Sequence, residues 1–395
     1  MTSARILVIH HGDPIAYPPL MHALKQLSNA GYLITLLACQ PDAERPLEFP
    51  KNLPIAKHLL PPAPVGGNLL ARLGRMLHWH ILLLSAAWFA LTLRPTWIYA
   101  SNPASLVCAC PARWISKAKL LYQEHDSIEP FVAHESAARA WQRRLRLRVL
   151  RRAHIVVFPN AGRLAVARSQ AGPGLGTDLV IWNVAPIAEV RIALVKTAAH
   201  YVNLRLHFHG SMSKFAVPLA LIDALALVPE VIFQFASYEI GGRQHTERVL
   251  ARARELGVSA RVINLGTLST RPELLAATQQ ADVGLAFFSE SPKNVNHFNM
   301  AGATNKIFDY LGAGLALLCS NGTQWQADFI PTFGLAADPN NADAIAKALR
   351  QLFKRTPDPQ VLGQRGQEKI RGDWHFESVF QPVLVALSPK PEKSG

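Results

Sequence analysis

One short turn carries four residues that could together bind an anion. In HFHGSMSKFAV, Gly210 permits a tight turn, and the hydroxyls of Ser211 and Ser213 can cap the helix that Lys214 begins. The start of a helix presents free backbone N–H groups, and the ammonium group of Lys214 adds positive charge at the same point. The stretch predicts a diphosphate-binding turn, a pattern that doubly wound domains share in general.

A second polar stretch follows a strand that ends at Phe288. A long loop rich in Asn, Ser and His comes next, and Thr304 or Asn305 then caps a helix. Long polar loops between well-formed elements are more often functional than accidental. The helix carries Lys306 and Asp309 within the otherwise apolar segment NKIFDYLGAGLALLCSN. Asp309 is therefore either a ligand-binding carboxylate or an exposed helix carboxylate.

Both stretches require strands that end near one another. Apolar runs of strand length alternate with helical stretches twice along the chain, first from RILVIHH to LVIWN and again from VNLRLHFHG to LALLCSN. Such alternation predicts right-handed crossovers and parallel sheets covered on both faces. The predicted fold class is α/β, with two Rossmann-like domains facing each other across a cleft at the carboxyl ends of both sheets.

The predicted domain boundaries follow this alternation. An N-terminal Rossmann-like domain is expected over residues 1–183, a linker over 184–200 and a second Rossmann-like domain over 201–375. A C-terminal helix and tail, 376–395, is expected to pack back on the N-terminal domain. Two domains of this size can each bury a core.

Positive charge is concentrated in the first half of the chain. Residues 1–182 contain 20 Lys and Arg against 9 Asp and Glu, whereas the rest contains 21 against 18. Most of the excess belongs to one predicted helix with an apolar stripe. Its basic residues are Arg139, Arg143, Arg144, Arg146, Arg148, Arg151 and Arg152. This face is either merely solvated or binds an anionic surface such as phospholipid headgroups. Nucleic acid is disfavoured because the run lacks interleaved aromatic platforms.

The segment LHWHILLLSAAWFALTL, Leu77 to Leu93, is apolar and bounded by Arg72, Arg75 and Arg94. Its length is at the lower limit for crossing a bilayer. A crossing would place the next strand on the wrong side of the membrane from the first strand. A buried or membrane-surface helix is therefore expected rather than a spanning one.

The chain shows no pattern for a metal or an export signal. The four cysteines are scattered, and Cys108 and Cys110 lie in an apolar run without nearby histidines, so small buried side chains are expected. No D-x-D pattern is present. The N-terminal apolar run turns polar after about seven residues and lacks a cleavage site. A cytoplasmic protein is expected, peripheral at the inner face of the membrane.

The segments GTLSTRPELLAATQQADVGLAFFS and NKIFDYLGAG together resemble the donor-binding half of GT-B glycosyltransferases of the GT4-like group (glycosyl transferases group 1). The resemblance extends in weaker form over most of the chain. It implies that the C-terminal domain binds a nucleotide sugar and the N-terminal domain an acceptor. It also implies a transferase that retains anomeric configuration and needs no metal or cofactor beyond its nucleotide-sugar co-substrate.

The resemblance assigns roles in the C-terminal half. It implies that Asp309, where the family usually has Glu, hydrogen-bonds the ribose hydroxyls, and that Lys214 and Lys306 neutralise the diphosphate. The family often carries another Glu at the position of Ala301. Because that residue is missing, sugar recognition is expected to involve neighbouring amides, with Asn296, Asn299 and Asn305 as candidates.

The resemblance also assigns roles in the N-terminal half. His125, in KLLYQEHDSIEP, is expected beside the reacting sugar, with Asp126 or Glu124 fixing its tautomer. These three residues equally suit a structural hydrogen-bond cluster. The first strand ends in His10, His11, Gly12 and Asp13, where the family often has a loop that contacts a substrate. His11, Gly12 and Asp13 are the acceptor-side candidates.

The leading hypothesis is a glycosyltransferase that acts on a lipid-linked or surface-polysaccharide precursor at an anionic membrane surface. The missing Glu at Ala301 and the shorter Asp309 leave open a non-catalytic GT-B-fold subunit of a glycan assembly complex. A sugar-nucleotide epimerase, which needs no acceptor, is a third possibility.

Overall fold

The structure is a computed structural model that describes residues 4–40, 49, 53–64, 66–127, 137–190, 202–239, 244–288, 295–300, 302–322 and 330–388. The chain divides into two compact units. Unit 1 comprises residues 1–182 together with 379–395, and unit 2 comprises residues 183–378.

Unit 1 is built on a seven-stranded parallel sheet in the order β3-β2-β1-β4-β5-β6-β7. Its strands are β1 (Arg5–His10), β2 (Leu33–Cys39), β3 (Ala56–Leu60), β4 (Trp97–Ser101), β5 (Lys119–Gln123), β6 (Ile155–Phe158) and β7 (Thr177–Val180). Its helices are α1 (Pro18–Asn29), α2 (Leu69–Leu93), α3 (Leu106–Ser116), α4 (Ala137–Arg152) and α5 (Ala161–Ala171). The central strands are buried on both faces, as their continuous apolar runs require.

Unit 2 is built on a six-stranded sheet in the order β10-β9-β8-β11-β12-β13. Its strands are β8 (Leu204–Ser211), β9 (Val231–Tyr238), β10 (Val262–Asn264), β11 (Val283–Ala286), β12 (Ala316–Ser320) and β13 (Gly334–Ala337). Its helices are α6 (Leu219–Leu227), α7 (Gln244–Glu255), α8 (Arg271–Gln279), α9 (Val295–Phe298), α10 (Asn305–Gly312), α11 (Ala342–Phe353) and α12 (Pro359–Gly372). A last helix, α13 (Phe376–Leu387), begins in unit 2 and ends in unit 1.

The strand order locates a binding edge in each unit. Both sheets are parallel with helical crossovers, which confirms the predicted pair of Rossmann-like domains. The order reverses between β1 and β4 in unit 1 and between β8 and β11 in unit 2. Ligands of open α/β sheets bind beyond the carboxyl ends of the strands at such a reversal. These edges hold His10 and Ser101 in unit 1, and Gly210 and Phe287 in unit 2.

Helix α2 is longer than predicted. It begins at Leu69 rather than Leu77, because the Asn68 side chain accepts a hydrogen bond from the Ala71 N–H at 2.9 Å and so caps it. Arg72 and Arg75, which the sequence pattern placed outside the helix, lie in its first two turns.

Helix α4 departs from the predicted arginine face at one position. Arg146 is 1% exposed and forms a paired ion contact with the Glu124 carboxylate, its Nη2 lying 2.5 Å from Oε1. The Tyr122 hydroxyl donates to the same carboxylate at 2.6 Å. Arg146 therefore belongs to the core of unit 1 and not to a surface that meets solvent or lipid.

Candidate functional site

The turn after β8 and the start of α10 come together in unit 2. Gly210 has φ +109°, and a Cβ there would lie 2.7 Å from Cε of Lys306. The positive φ favours glycine at this position, where the Lys306 side chain crosses the strand end. The Lys306 ammonium lies 4.8 Å from the ring centroid of Phe208. Two of the predicted site residues, 96 positions apart in sequence, thus share one location.

This location favours an anion. Burial lowers the pKa of Lys306 to about 8, so the side chain remains mostly charged at neutral pH at a cost in solvation. Thr304 caps α10, its hydroxyl accepting from the Lys306 N–H at 3.3 Å. The first N–H groups of α10 add the positive end of a helix. A diphosphate placed beside Gly210 would compensate both the lysine and the helix start.

The other predicted residues of the turn are positioned differently. Ser213 accepts from the Ala216 N–H at 3.2 Å and so caps the turn that precedes α6. Lys214 is exposed, with its ammonium 5.1 Å from the ring centroid of Phe215. Ser211 is half-buried at the end of β8. Of the two predicted lysines, Lys306 is the one that the structure packs against Gly210.

Asp309 is a buried ion-pair carboxylate. It is 2% exposed, which excludes the exposed alternative. Arg271 donates from Nη2 to Oδ1 at 2.6 Å and from Nη1 to Oδ2 at 2.9 Å, and His209 Nε2 lies 3.2 Å from Oδ2. Although burial acts against the charge, the Arg271 guanidinium and the His209 hydrogen bond hold the Asp309 pKa well below its usual range.

The ion pair extends to the segment that precedes β8. Arg271, at the start of α8, also donates to Glu189 at 2.7 Å, so one guanidinium lies between two carboxylates. The pKa of Arg271 is raised by these two neighbours despite its burial. Sequence reasoning did not identify Arg271 or Glu189.

Two histidines on β8, His207 and His209, lie beside this ion pair. The Thr278 hydroxyl lies 3.2 Å from His207 Nε2 and 3.5 Å from His209 Nδ1. Burial lowers the pKa of both histidines. The His209 N–H donates to the Tyr310 hydroxyl at 3.1 Å, which ties β8 to α10. The alternating His-Phe-His of HFHG could have indicated two polar side chains on one face of a buried strand.

The loop between β11 and α10 contributes less than expected within the described residues. The Asn299 amide donates to the Val295 carbonyl at 3.0 Å and so closes the short helix α9. Asn305, half-buried, is the first residue of α10, and Asn296 is half-buried in α9. Residues 289–294 and Ala301 lie outside the described part of the chain.

In unit 1 a serine links two buried histidines at the strand reversal. Ser101 Oγ lies 3.1 Å from His10 Nδ1 and 2.9 Å from His125 Nε2. A hydroxyl donates one proton, so it accepts from one imidazole and donates to the other. Burial lowers the pKa of His10 to about 3 and that of His125 to about 4. Both rings are therefore neutral at physiological pH. Sequence reasoning placed His10 at the end of the first strand without a role of its own and did not identify Ser101.

Each histidine of the His10–Ser101–His125 chain has a second ring nitrogen that Ser101 does not contact. His10 Nε2 and His125 Nδ1 are buried without a hydrogen-bond partner among the described residues. Because Ser101 donates to only one ring, one of these nitrogens carries a proton and the other a lone pair. The pair offers a ligand one donor and one acceptor.

Neither neighbouring carboxylate fixes the His125 ring, contrary to the expectation. Glu124 is bound by Arg146, and Asp126 lies 3.3 Å from Arg163 with its side chain 72% exposed. Arg163 also donates to the His125 carbonyl. Glu124 and Asp126 thus form ion pairs with arginines, and Ser101 forms the hydrogen bond to the His125 ring.

The end of β1 forms an ordered turn. His11 stacks on Trp79 of α2 with centroids 4.1 Å apart, and its N–H donates to Ser105 Oγ at 3.0 Å. Asp13 Oδ1 accepts from the Ile15 N–H at 2.9 Å. Gly12 has φ +137°. The three acceptor-side candidates, His11, Gly12 and Asp13, are therefore fixed beside the His10–Ser101–His125 chain.

The described residues contain no group of three or more His, Cys, Asp or Glu arranged for a metal ion. All four cysteines are free thiols, and burial raises the pKa of Cys319, Cys108 and Cys110.

Comparisons with solved structures place the chain in the GT-B fold. HepE of Anabaena, solved with UDP-glucose, superposes with a TM-score of 0.69 at 19% identity, covering 97% of this chain and 99% of that one. Sucrose-phosphate synthase of Thermosynechococcus elongatus gives 0.65 at 17% identity over 98% and 100%. A putative UDP-N-acetylglucosamine 2-epimerase of Listeria monocytogenes gives 0.63 at 12% identity over 98% and 96%. No family model and no curated protein sequence matches the chain.

Proposed function

We propose that the protein is a glycosyltransferase that takes a sugar from a nucleotide-sugar donor. The observation that carries this proposal is the pairing of Lys306 with Gly210 at the strand reversal of unit 2, beside the start of α10. A cation, a glycine without a side chain and free helix N–H groups suit a diphosphate. The similarity of fold to HepE, solved with UDP and with UDP-glucose, supports a uridine nucleotide as the first ligand to test.

The donor site would act on the leaving group. When the C1–O bond of the donor breaks, its electron pair passes to the diphosphate, and the acceptor oxygen bonds to C1 as its proton passes to an oxygen of the departing diphosphate. Lys306 and the N–H groups of α10 would stabilise the charge that develops on the diphosphate, with Lys214 as a second cation at the edge. Stabilisation by fixed protein charges supports the proposal that the reaction needs no metal ion. Retention of anomeric configuration is proposed from the family resemblance alone.

Asp309 would contact the ribose through one oxygen. A carboxylate has about four acceptor positions, and Arg271 and His209 use three of those on Asp309. Oδ1 keeps one position, which a ribose hydroxyl would occupy. Arg271 would thus position the carboxylate, and the sugar would be recognised by the amides of Asn296, Asn299 and Asn305.

In unit 1 the His10–Ser101–His125 chain would contact a substrate hydroxyl. The neutral His125 ring suits a hydrogen bond to a sugar or acceptor hydroxyl, and not proton donation as an imidazolium. The acceptor would be a lipid-linked or surface-polysaccharide precursor on the cytoplasmic side of a membrane, with His11, Gly12 and Asp13 on the acceptor side.

A nucleotide panel tests the proposal. Thermal shift with UDP, GDP and CMP, each free and sugar-linked, is expected to show stabilisation by one base, since a ligand at a hundred times its Kd adds about 2.7 kcal/mol. Donor turnover with and without lipid-linked acceptors then identifies the reaction. Binding without turnover would favour the non-catalytic subunit, and donor conversion without acceptor would favour the epimerase. If no nucleotide shifts the Tm, the donor site is refuted.

A further inference from the structure

One face of α2 exposes large apolar side chains along its whole length. Twelve residues of the helix are exposed, and only Arg72, His80 and Thr92 among them are not large apolar residues. The exposed fraction reaches 78% for Leu70, 68% for Leu84 and 63% for Trp88. The complete apolar set is Leu69, Leu70, Leu73, Met76, Leu77, Ile81, Leu84, Trp88 and Leu91.

These nine side chains form a single stripe. At 3.6 residues per turn they fall within an arc of about 140°, and the helix is about 37 Å long. The opposite side of α2 carries Ala71, His78, Leu82, Ala86 and Ala90, all buried. An apolar surface this large on a folded protein indicates a binding surface.

Helix α2 is long and apolar enough to cross a membrane, but its packing opposes a crossing. Leu82, Ala86 and Ala90 are fully buried in the core of unit 1 together with residues of β1, β4 and β5. Only three residues separate the end of α2 from the start of β4, and β4 pairs with β1 and β5. A spanning α2 would have to leave this core, whereas a helix lying in the membrane surface keeps it.

The neighbouring helices supply positive charge. Helix α2 packs beside α3, and α3 beside α4. The three helices contain ten arginines and no Asp, Glu or Lys. On α4, five of these are exposed: Arg139, Arg144, Arg148, Arg151 and Arg152. Trp114 of α3 is 84% exposed and Trp141 of α4 is 51% exposed, as is typical of side chains at a lipid headgroup level.

We propose that α2, α3 and α4 form a docking surface for an anionic phospholipid bilayer, with α2 lying in the membrane plane and its apolar stripe inserted. The absence of acidic residues in all three helices distinguishes this partner from a protein face of mixed charge. The inference deepens the proposed function, because it names the surface by which the enzyme would reach a lipid-linked acceptor. Binding to vesicles is measured without any sugar transfer, so the two proposals fail separately.

Vesicle flotation with the full chain tests the surface. We expect binding to vesicles of phosphatidylcholine with 40% phosphatidylglycerol, weaker binding to phosphatidylcholine alone, and loss of binding as salt rises. The variant Leu77→Gln/Leu84→Gln/Trp88→Gln should lower the partition coefficient at least about tenfold. Arg144→Gln/Arg148→Gln should lower it about fivefold per arginine on anionic vesicles, with little effect on neutral ones.

A matched control removes three exposed apolar side chains elsewhere, in Leu175→Gln/Val202→Gln/Val361→Gln. This control should float as the parent protein does. Circular dichroism and the nucleotide-induced Tm shift should be unchanged in all three variants. Failure of the parent protein to float, or equal flotation of the α2 variant, overturns the proposal. A parent dimer in solution that the α2 variant loses, without flotation by either, would assign the stripe to a second copy and also overturn it.

Discussion

Replacing Asp309 by Ala should destabilise unit 2 substantially. The substitution removes a carboxylate that is 1% exposed and leaves the Arg271 guanidinium, itself 23% exposed, with Glu189 as its remaining anionic partner. Removing one member of a buried ion pair costs about 3–5 kcal/mol. Because Glu189 still compensates Arg271, we expect the lower end, about 3 kcal/mol. For a unit of this size that corresponds to a Tm decrease of about 6–12 °C.

Calorimetry on the full chain measures this change, and a double-mutant cycle isolates its cause. Arg271→Leu should lower the free energy of unfolding by a similar amount. The loss in the double variant Asp309→Ala/Arg271→Leu should be about 2 kcal/mol smaller than the sum of the two single losses. Asp343→Ala, at an exposed carboxylate of α11, should change stability by about 0.5 kcal/mol or less. Additive single effects, or an Asp309→Ala variant as stable as the Asp343→Ala control, would refute the buried ion pair.

Four further predictions concern other polar and charged groups of the two units. Nucleotide affinity should begin to fall as pH rises above about 8, the pKa of Lys306, and titration of Lys306→Met should show no such decline. Ser101→Ala should lower the free energy of unfolding, measured in urea, by about 1–3 kcal/mol, because it leaves two buried imidazole nitrogens unpaired. Since the folded pKa of His125 lies near 4, below its ordinary 6.5, the stability of unit 1 is full above pH 6.5 and should decrease toward pH 4; a constant urea midpoint would contradict this. Glu124→Gln should lower the free energy of unfolding by about 3 kcal/mol, because it removes the charge that compensates the buried Arg146. Arg148→Gln, on the exposed side of α4, should leave the free energy of unfolding nearly unchanged in the same assay.

The fold follows from local patterns that the sequence displays directly. Apolar runs of strand length separated by helical stretches require a parallel, doubly wound sheet, whatever the ligand. The Thr304 cap and the Gly210 turn are also local features, because each depends on backbone geometry within a few residues. They were predicted, and the structure places Gly210 beside Lys306.

The partners of the buried charges could not be predicted in the same way. Arg271 and Asp309 are 38 residues apart, and only the tertiary fold brings α8 and α10 together. The His10–Ser101–His125 chain likewise joins three strand ends that are distant in sequence. No spacing rule links residues across a sheet.

The sequence also contains the signals for two helix features that differ from the prediction, the burial of Arg146 in α4 and the early start of α2. Arg146 precedes Val149 and Leu150 by three and four residues, which places it on the buried stripe of α4. In α2, Arg72 and Arg75 lie inside the helix, because arginines on one side of a helix do not end it. The angular position of each charge around its helix therefore indicates both features.

The central claim is that unit 2 binds a nucleotide diphosphate beside Lys306 and Gly210. Calorimetric titration of the full chain with UDP at pH 7 tests it most directly. We predict saturable binding that Lys306→Met weakens about 10–100-fold, as expected for a charged hydrogen bond, and that Lys347→Met, at an exposed lysine of α11, leaves unchanged. Binding that both variants retain equally, or no binding of UDP, GDP or CMP by the parent protein, would contradict the claim.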